Sequence, residues 1–214
     1  MATDTSTTKE QLLDKAEALF ARKGYRGVPV REITRAARCN LAAVNYHFGN
    51  KENLYREVFH SRWIPRIRQV HEFYRKTLAS RGKTTPETIL RSLAEAYLLS
   101  PLSEDERQRY IQLLAREMAH PTEVFNKVAE NILIPFLNEV SVTLKPVLPG
   151  HLNDEQLRLS IISIFTIIQH FSNMKVAVTH VTGREYDKNF KAILVEHIVR
   201  FSLQGLGVSG RCKP

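Results

Sequence analysis

Apolar residues recur along this chain at spacings of three and four, and no run alternates apolar and polar positions long enough to make a strand. The pattern predicts an all-α fold of about nine helices. Thr7 and Glu10 have the spacing of a capping box, Leu12, Ala16, Leu19 and Phe20 form one stripe, and Gly24 stops the first helix. After "YRGVP", Val30, Ile33 and Ala37 share a face of a second, short helix. Asn40 can cap a third, whose Val44 and Phe48 point inward one turn apart.

Asn50 caps a fourth helix running from Lys51 toward residue 80, with Leu54, Tyr55, Val58, Phe59 and Trp63 available for packing. Pro65 sits inside that pattern, and a missing N–H with a ring clash predicts a kink or break there. The loop "SRGKTTP" follows. Thr85 with Pro86 opens a fifth helix, Ser103 with Glu106 boxes a sixth, and Pro121 starts a seventh that ends near "KPVLPG". Asn153 with Gln156 starts an eighth, and after "THVTGREYD" a ninth runs to about Gly205.

Helices two and three, joined by a tight turn at about Arg38 to Asn40, have the skeleton of a helix-turn-helix. With Val44 and Phe48 buried, the opposite face of the third helix carries Ala42, Asn45 and Tyr46, flanked by Ala43 and His47. Small residues let a helix backbone approach the floor of the major groove. Asn can pair with a base edge, and Tyr or His can donate to phosphate oxygens. Lys51 falls in the first turn of the next helix, where free N–H groups also attract phosphate.

Charge favours the same partner class. The formal net charge is +9, and residues 1–62 hold 11 Lys/Arg against 7 Asp/Glu, which favours polyanions without choosing between nucleic acid and acidic membrane. The most apolar segment, residues 157–178, is interrupted by Arg158, Gln169, His170, Asn173 and Lys175, so it reads as a buried helix and not a membrane span. Cys39 and Cys212 lie far apart without spaced partners, which excludes a disulfide framework or zinc cage and points to a reducing cytosol. Cys39 reads as a small core residue. The start "MATDTSTTKEQ" lacks the basic and apolar regions of a secretory signal. No metal or cofactor is expected.

The run "LLDKAEALFARKGYRGVPVREITRAARCNLAAVNYHFGNKENLYREVF" resembles the DNA-binding domain of TetR-type (TetR/AcrR) transcriptional regulators. The Leu-Phe-x-x-x-Gly-Tyr end of helix one, Ile33, Ala36-Ala37, and Tyr46-His47-Phe48 followed by Lys51-Glu52 carry the likeness. The resemblance implies a helix-turn-helix domain over residues 6–66, with the motif at about 29–48, and an effector-binding and dimerisation domain over 67–214. It implicates Asn40, Leu41, Ala42, Ala43, Asn45, Tyr46, His47 and Lys51 in contacts with double-stranded DNA. The implied protein is a homodimeric regulator, most often a repressor, released from a palindromic operator by a small-molecule effector. Three positions depart from the pattern: Arg38 stands where the turn glycine is common, Val28 replaces a frequent Thr that would cap helix two, and Cys39 takes a small apolar position.

Hydrophobicity supports the dimer independently. In the eighth helix Leu157, Ile161, Ile164, Ile168 and Phe171 occupy one side while Leu159, Ile162, Phe165 and Ile167 cover much of the rest, which asks for burial on two sides. In the ninth, Phe190, Ile193 or Leu194, His197 or Ile198, and Phe201 form a stripe, with Val195 and Val199 outside it. Two such helices from each of two chains make a four-helix interface. For an effector pocket, polar groups that interrupt buried patterns are the candidates: Tyr97, Tyr110, Arg116, Glu117, His120, Phe125, Gln169, His170 and Asn173.

Enzymatic motifs fail on inspection. "HEFYR" has Arg75 where a zinc-protease helix needs its second histidine, and "GLGVSG" at 205–210 follows a helix with too little chain after it for a dinucleotide fold. A helical small-molecule enzyme with a vestigial N-terminal domain, or a basic helical adaptor for membrane or protein partners, stays open beside the DNA-binding reading.

Overall fold

The structure, a computed structural model, describes residues 2–150 and 152–208, and for residues 2–7 the backbone alone. Cys212 and the end of "GLGVSG" lie outside the described residues. The chain forms α1 (Ala2–Lys23), α2 (Val30–Ala36), α3 (Leu41–Phe48), α4 (Lys51–Val58), α5 (Ile64–Ser80), α6 (Pro86–Leu99), α7 (Glu104–Ala119), α8 (Glu123–Val128), α9 (Ile134–Leu144), α10 (Asp154–Asn173), α11 (Lys175–Thr182) and α12 (Lys188–Gly205). No strand occurs among the described residues, so the fold is all-α.

Two π turns, Phe59–Trp63 and Ala129–Leu133, join α4 to α5 and α8 to α9 without a break. Counted as continuous rods there are ten helices among the described residues, one more than the pattern predicts. The extra one is α11. Met174, at φ −95° and ψ 37°, interrupts the apolar segment, and α11 turns away from α10 by 79°. The apolar run continues across that corner, so periodicity alone shows no boundary. No single helix among the described residues is long and apolar enough to cross a membrane.

Pro65 neither breaks nor ends its helix. It lies just after the first π turn, and Pro135 lies just after the second. A proline lacks the N–H for an α-type bond and its ring presses on the carbonyl four residues back; the wider π turn moves that carbonyl out of the way. The expected break is absent at Pro65, and a widened turn precedes both prolines. The helix starts hold better at Thr85, Ser103 and Asn153, which each close a reciprocal capping box. At the N-terminus α1 begins at Ala2, so Thr7 lies inside the helix, and the Glu10 carboxylate accepts from Arg62 instead of closing a box.

Contacts divide the chain into two compact units. One contains the residues through Ile67 together with Ser103–Val128; the other contains Arg68–Leu102 and the residues from Ala129 onward. The unit carrying the helix-turn-helix therefore takes in α7 and α8, far beyond residue 66 in sequence. Its core is an aromatic ladder. Phe20 meets Tyr55 edge-on at 4.8 Å, Tyr55 meets Phe59 at 5.1 Å, Phe59 meets Trp63 at 5.6 Å, and Trp63 meets Tyr110 at 5.1 Å. Such pairs contribute about 0.5–1.5 kcal/mol each beyond their burial. Trp63 also donates from Nε1 to the Tyr110 carbonyl at 3.2 Å. Beside this ladder the buried Arg66 and Glu17 pair directly, and Arg109 donates to Asp14 at 2.6 Å and to Glu17 at 3.2 Å, tying α7 to α1.

The other unit packs α6 against α12 and α10, with α9 alongside. Phe136 is central: His71 stacks on it at 3.5 Å, while Tyr74 and Phe165 meet it edge-on at 5.4 and 6.0 Å. Residues 157–178 are not buried throughout. Leu157, Ile161, Ile164 and Ile168 face the core of this unit, whereas Leu159 and Ile162 are more than half exposed. On α12, Val195 and Val199 join Phe190, Leu194 and Ile198 inside, and Ile193, His197 and Phe201 form a second, exposed stripe.

Candidate nucleic-acid interface

The short α3 is held by polar caps and two apolar anchors. Asn40 accepts through Oδ1 from the Ala43 N–H at 3.0 Å, and Asn50 accepts from the Asn53 N–H at 2.8 Å, which fixes the entry of α3 and of α4. Val44 and Phe48 are buried, as the spacing requires. Leu41, Ala42, Asn45 and Tyr46 are exposed, and Ala43 and His47 are half-buried at the edges. Tyr46, 78% exposed, stands edge-on to His47 at 5.0 Å. Since Asn40 uses Oδ1 as a cap, its amide N–H groups are what it has left to offer a ligand.

The turn before α3 explains how an arginine replaces the turn glycine. The Arg38 N–H bonds the Arg35 carbonyl at 3.2 Å and the Cys39 N–H bonds the Thr34 carbonyl at 3.0 Å. This pair of bonds is the Schellman arrangement, which needs a left-handed residue just past the helix. Arg38 supplies it at φ 53°, the one non-glycine residue with positive φ among the described residues. The same bond pair closes α12, where Gly207 takes the position at φ 68°. An L side chain in this region costs about 1–2 kcal/mol. Val28 is wholly buried and α2 starts from Pro29 with no side-chain cap, so the missing Thr is replaced by packing alone. Cys39 is half-buried and not part of the core; burial pushes its thiol pKa up, away from the reactive thiolate.

Lys51 is set by an aromatic neighbour that spacing did not single out. Its ammonium lies 4.4 Å from the centre of the Tyr25 ring, and Tyr25 packs on Tyr55 at 4.8 Å. Partial burial lowers the Lys51 pKa. The Gly-Tyr end of helix one was the available signal for Tyr25.

The pocket candidates are divided between the two units. Tyr110, Arg116, Glu117, His120 and Phe125 belong to the unit of the helix-turn-helix, and Tyr97, Gln169, His170 and Asn173 to the other. Arg116 donates to the Arg22 carbonyl at 2.6 Å, the buried Glu117 accepts from Tyr55, and His120 is exposed at the end of α7. His170 and Asn173 are exposed on α10, because the polar residues of that helix fall on its uncovered side. Tyr97 is buried, with its hydroxyl 3.4 Å from Nε2 of His71 and its ring edge-on to Phe165. The Gln169 Oε1, one turn beyond Phe165, is buried without a partner among the described residues. Desolvation, with Arg75 adding repulsion, lowers the His71 pKa to about 3, so this ring is neutral. In the sequence His71 stands out only through the incomplete metal motif "HEFYR". Elsewhere in this unit, Phe171, Val178, Phe190, Ile193, Leu194 and His197 line an open apolar groove of about 590 Å³.

Comparison with known proteins agrees with this geometry. Residues 12–58 match the bacterial regulatory proteins of the tetR family, and residues 86–206 match the C-terminal domain of the HTH-type transcriptional dual regulator CecR. The CecR protein of Shigella flexneri is 28% identical over 136 residues, 59% of this chain and 58% of that protein. The probable regulator YttP of Bacillus subtilis is 33% identical over 72 residues, 34% of this chain and 31% of that one. The chain thus spans less than two thirds of the length of these curated relatives. A transcriptional regulator from Rhodococcus sp. Rha1 superposes with a TM-score of 0.63 at 17% identity, covering 92% of this chain and 96% of that one. The TetR-family regulator PfmR of Thermus thermophilus gives 0.62 at 16% identity, covering 94% and 96%. These two likenesses show the fold. The relatives are transcriptional regulators and not enzymes.

Proposed function

Because this chain belongs to the TetR family of bacterial regulatory proteins, with a C-terminal domain of the CecR type, we propose that it binds a palindromic operator in double-stranded DNA as a homodimer and is released by a small effector. The observation that carries the reading is the exposed face of α3: Asn45 and Tyr46 point to solvent directly opposite the buried Val44 and Phe48. Leu41, Ala42 and Ala43 keep that face low enough to approach base edges, while Tyr46, His47, Lys51 and the Asn40 amide hold phosphates.

The dimer rests on the exposed Leu159 and Ile162 of α10, the Ile193 and Phe201 of α12, and the adjoining apolar groove. A second copy related by a two-fold axis covers all of these at once and sets two α3 helices at successive major grooves. For the effector, the surroundings of Phe136, with Tyr97, Gln169 and the neutral His71, fit an uncharged ligand better than an anion, since Arg75, the cation over the Phe136 ring, is already engaged by Glu139. Repression is the proposed outcome, as for the IcaR and AcnR relatives, whose names describe negative regulation and repression. A cytoplasmic location follows from a DNA target.

Selection of bound duplexes from a random-sequence library tests the reading. Inverted repeats with half-sites about one helical turn apart are expected, and Tyr46→Ala with Lys51→Ala should abolish their capture. Enrichment of no symmetric sequence, or capture that survives both substitutions, would overturn it.

A further inference from the structure

Residues 24–51 carry Arg26, Arg31, Arg35, Arg38 and Lys51 against a single carboxylate, Glu32, and Glu32 is engaged by Lys23 at 2.5 Å. Elsewhere in the same unit cations are mostly neutralised: Lys9 by Glu57, Lys15 by Asp14, Arg56 by Glu52, Arg62 by Glu10, and Arg66 and Arg109 by Glu17. Arg31, Arg35 and Arg38 are exposed and have no ion-pair partner among the described residues.

Three features of this row work against the free protein. Arg31 and Arg35 sit one turn apart on α2, a spacing at which like charges repel. Arg31 lies in the first turn, where the helix dipole disfavours a cation. Arg38 holds a left-handed backbone that glycine would adopt without strain. The two electrostatic tensions are relieved by one kind of partner, a line of negative charges laid beside α2, and the same partner gives the exposed guanidinium of the strained Arg38 something to bind. Strained or repelling residues kept at such positions point to function.

We propose that Arg31, Arg35 and Arg38 form a phosphate-binding ridge that extends the DNA footprint from α3 onto α2 and its closing turn, Arg38 being the residue for which turn strain is retained. The proposal rests on the DNA-binding reading above and adds contacts that reading does not contain. Phosphate contacts release counterions, so each one steepens the dependence of log K on log salt by about 0.9.

The probe is a 30-bp-scale duplex recovered by the wild-type chain from the random library, with affinity measured across a salt series. Arg38→Gly should fold more stably than wild type, raising the thermal midpoint by about 1–3 °C. It should nonetheless bind more weakly, with a salt slope shallower by about 0.9 for each bound protomer. Arg31→Gln with Arg35→Gln should lower the slope by about twice that, and Lys76→Ala, a surface charge paired to Glu72 in the other unit, should leave it unchanged. A more stable but weaker-binding Arg38→Gly cannot arise from a merely structural role. If wild type binds the duplex and the slopes of both ridge variants are unaltered, the proposal is overturned. If wild type captures no duplex at all, the DNA-binding reading itself falls and the ridge with it.

Discussion

The Tyr55 hydroxyl donates a hydrogen bond to the Glu117 carboxylate, joining α4 to α7 across 62 residues of sequence with both side chains buried. The other carboxylate oxygen accepts from the Thr122 N–H at 2.8 Å and from its hydroxyl at 3.0 Å, so one acid satisfies α4 and the start of α8 together. Burial and the neighbouring carboxylate raise the Tyr55 pKa, keeping the phenol protonated as the donor. Tyr55→Phe removes that donor and leaves a buried charge less solvated, which should cost about 1.5–3 kcal/mol in denaturant unfolding. A loss below 0.5 kcal/mol, roughly the scale of a surface change, would mean the bond contributes little.

Gly27 sits where no side chain fits. A Cβ there would lie 2.5 Å from the Lys23 carbonyl oxygen, a backbone atom that cannot swing aside. Gly27→Ala should therefore destabilise the link between α1 and α2 by about 1–3 kcal/mol. Urea midpoints of the two chains decide it.

His71 gives the second unit an acid limit. Its folded pKa of about 3 is below the ordinary 6.5, so the unfolded chain binds more protons between those values. Stability from a neutral His71 is complete above about pH 6.5 and is lost as pH falls through that window, reaching roughly 3 kcal/mol of loss by pH 4. Carboxylates titrate over part of the same range, so the comparison is with His71→Gln, which cannot titrate. The difference in unfolding free energy between wild type and variant should shrink or reverse from pH 7.5 to pH 4.5; a constant difference would show that His71 is not the group responsible.

The exposed apolar stripes of α10 and α12 make an oligomer testable without DNA. Ile162→Arg and Phe201→Glu replace side chains 53% and 55% exposed in the single chain, so neither should disturb folding by itself. Each places an unpaired charge in the proposed two-fold interface. Sedimentation should show a dimer for wild type and a single chain for both variants, with unchanged far-ultraviolet circular dichroism. Wild-type protein sedimenting as one chain at micromolar concentration would remove the interface from the account.

Much of this was legible in residue order. The anchors Val44 and Phe48, the caps Asn40 and Asn50, and the boxes at Thr85, Ser103 and Asn153 are local devices, and local chemistry decides them. What escaped depends on distant chain segments or on compensation. The partners of Glu117 and Tyr110, Tyr55 and Trp63, are not legible because nothing in sequence says that α7 packs with α1 and the helix that follows α3. Met174 hid a corner inside an unbroken apolar run, and the charge state of His71 follows from its burial in the tertiary fold, with Arg75 adding repulsion. The uncovered half of α10 was readable as excess hydrophobicity, though His170 and Asn173 lie toward solvent and not inward.

The widened turn ahead of Pro65 did leave a trace in the sequence. Tyr55, Phe59, Trp63 and Ile67 are buried at intervals of four, a longer repeat than an α-helix keeps over three turns. The rod therefore carries one surplus residue held in a single loop of wider bore. Were that loop to tighten to ordinary α geometry, the next side chains would swing by about 100° around the axis, taking Ile67 off its covered face. Angular position along this rod is thus a stepped quantity, changed a whole residue at a time, and Pro65 is the stop that keeps it from slipping.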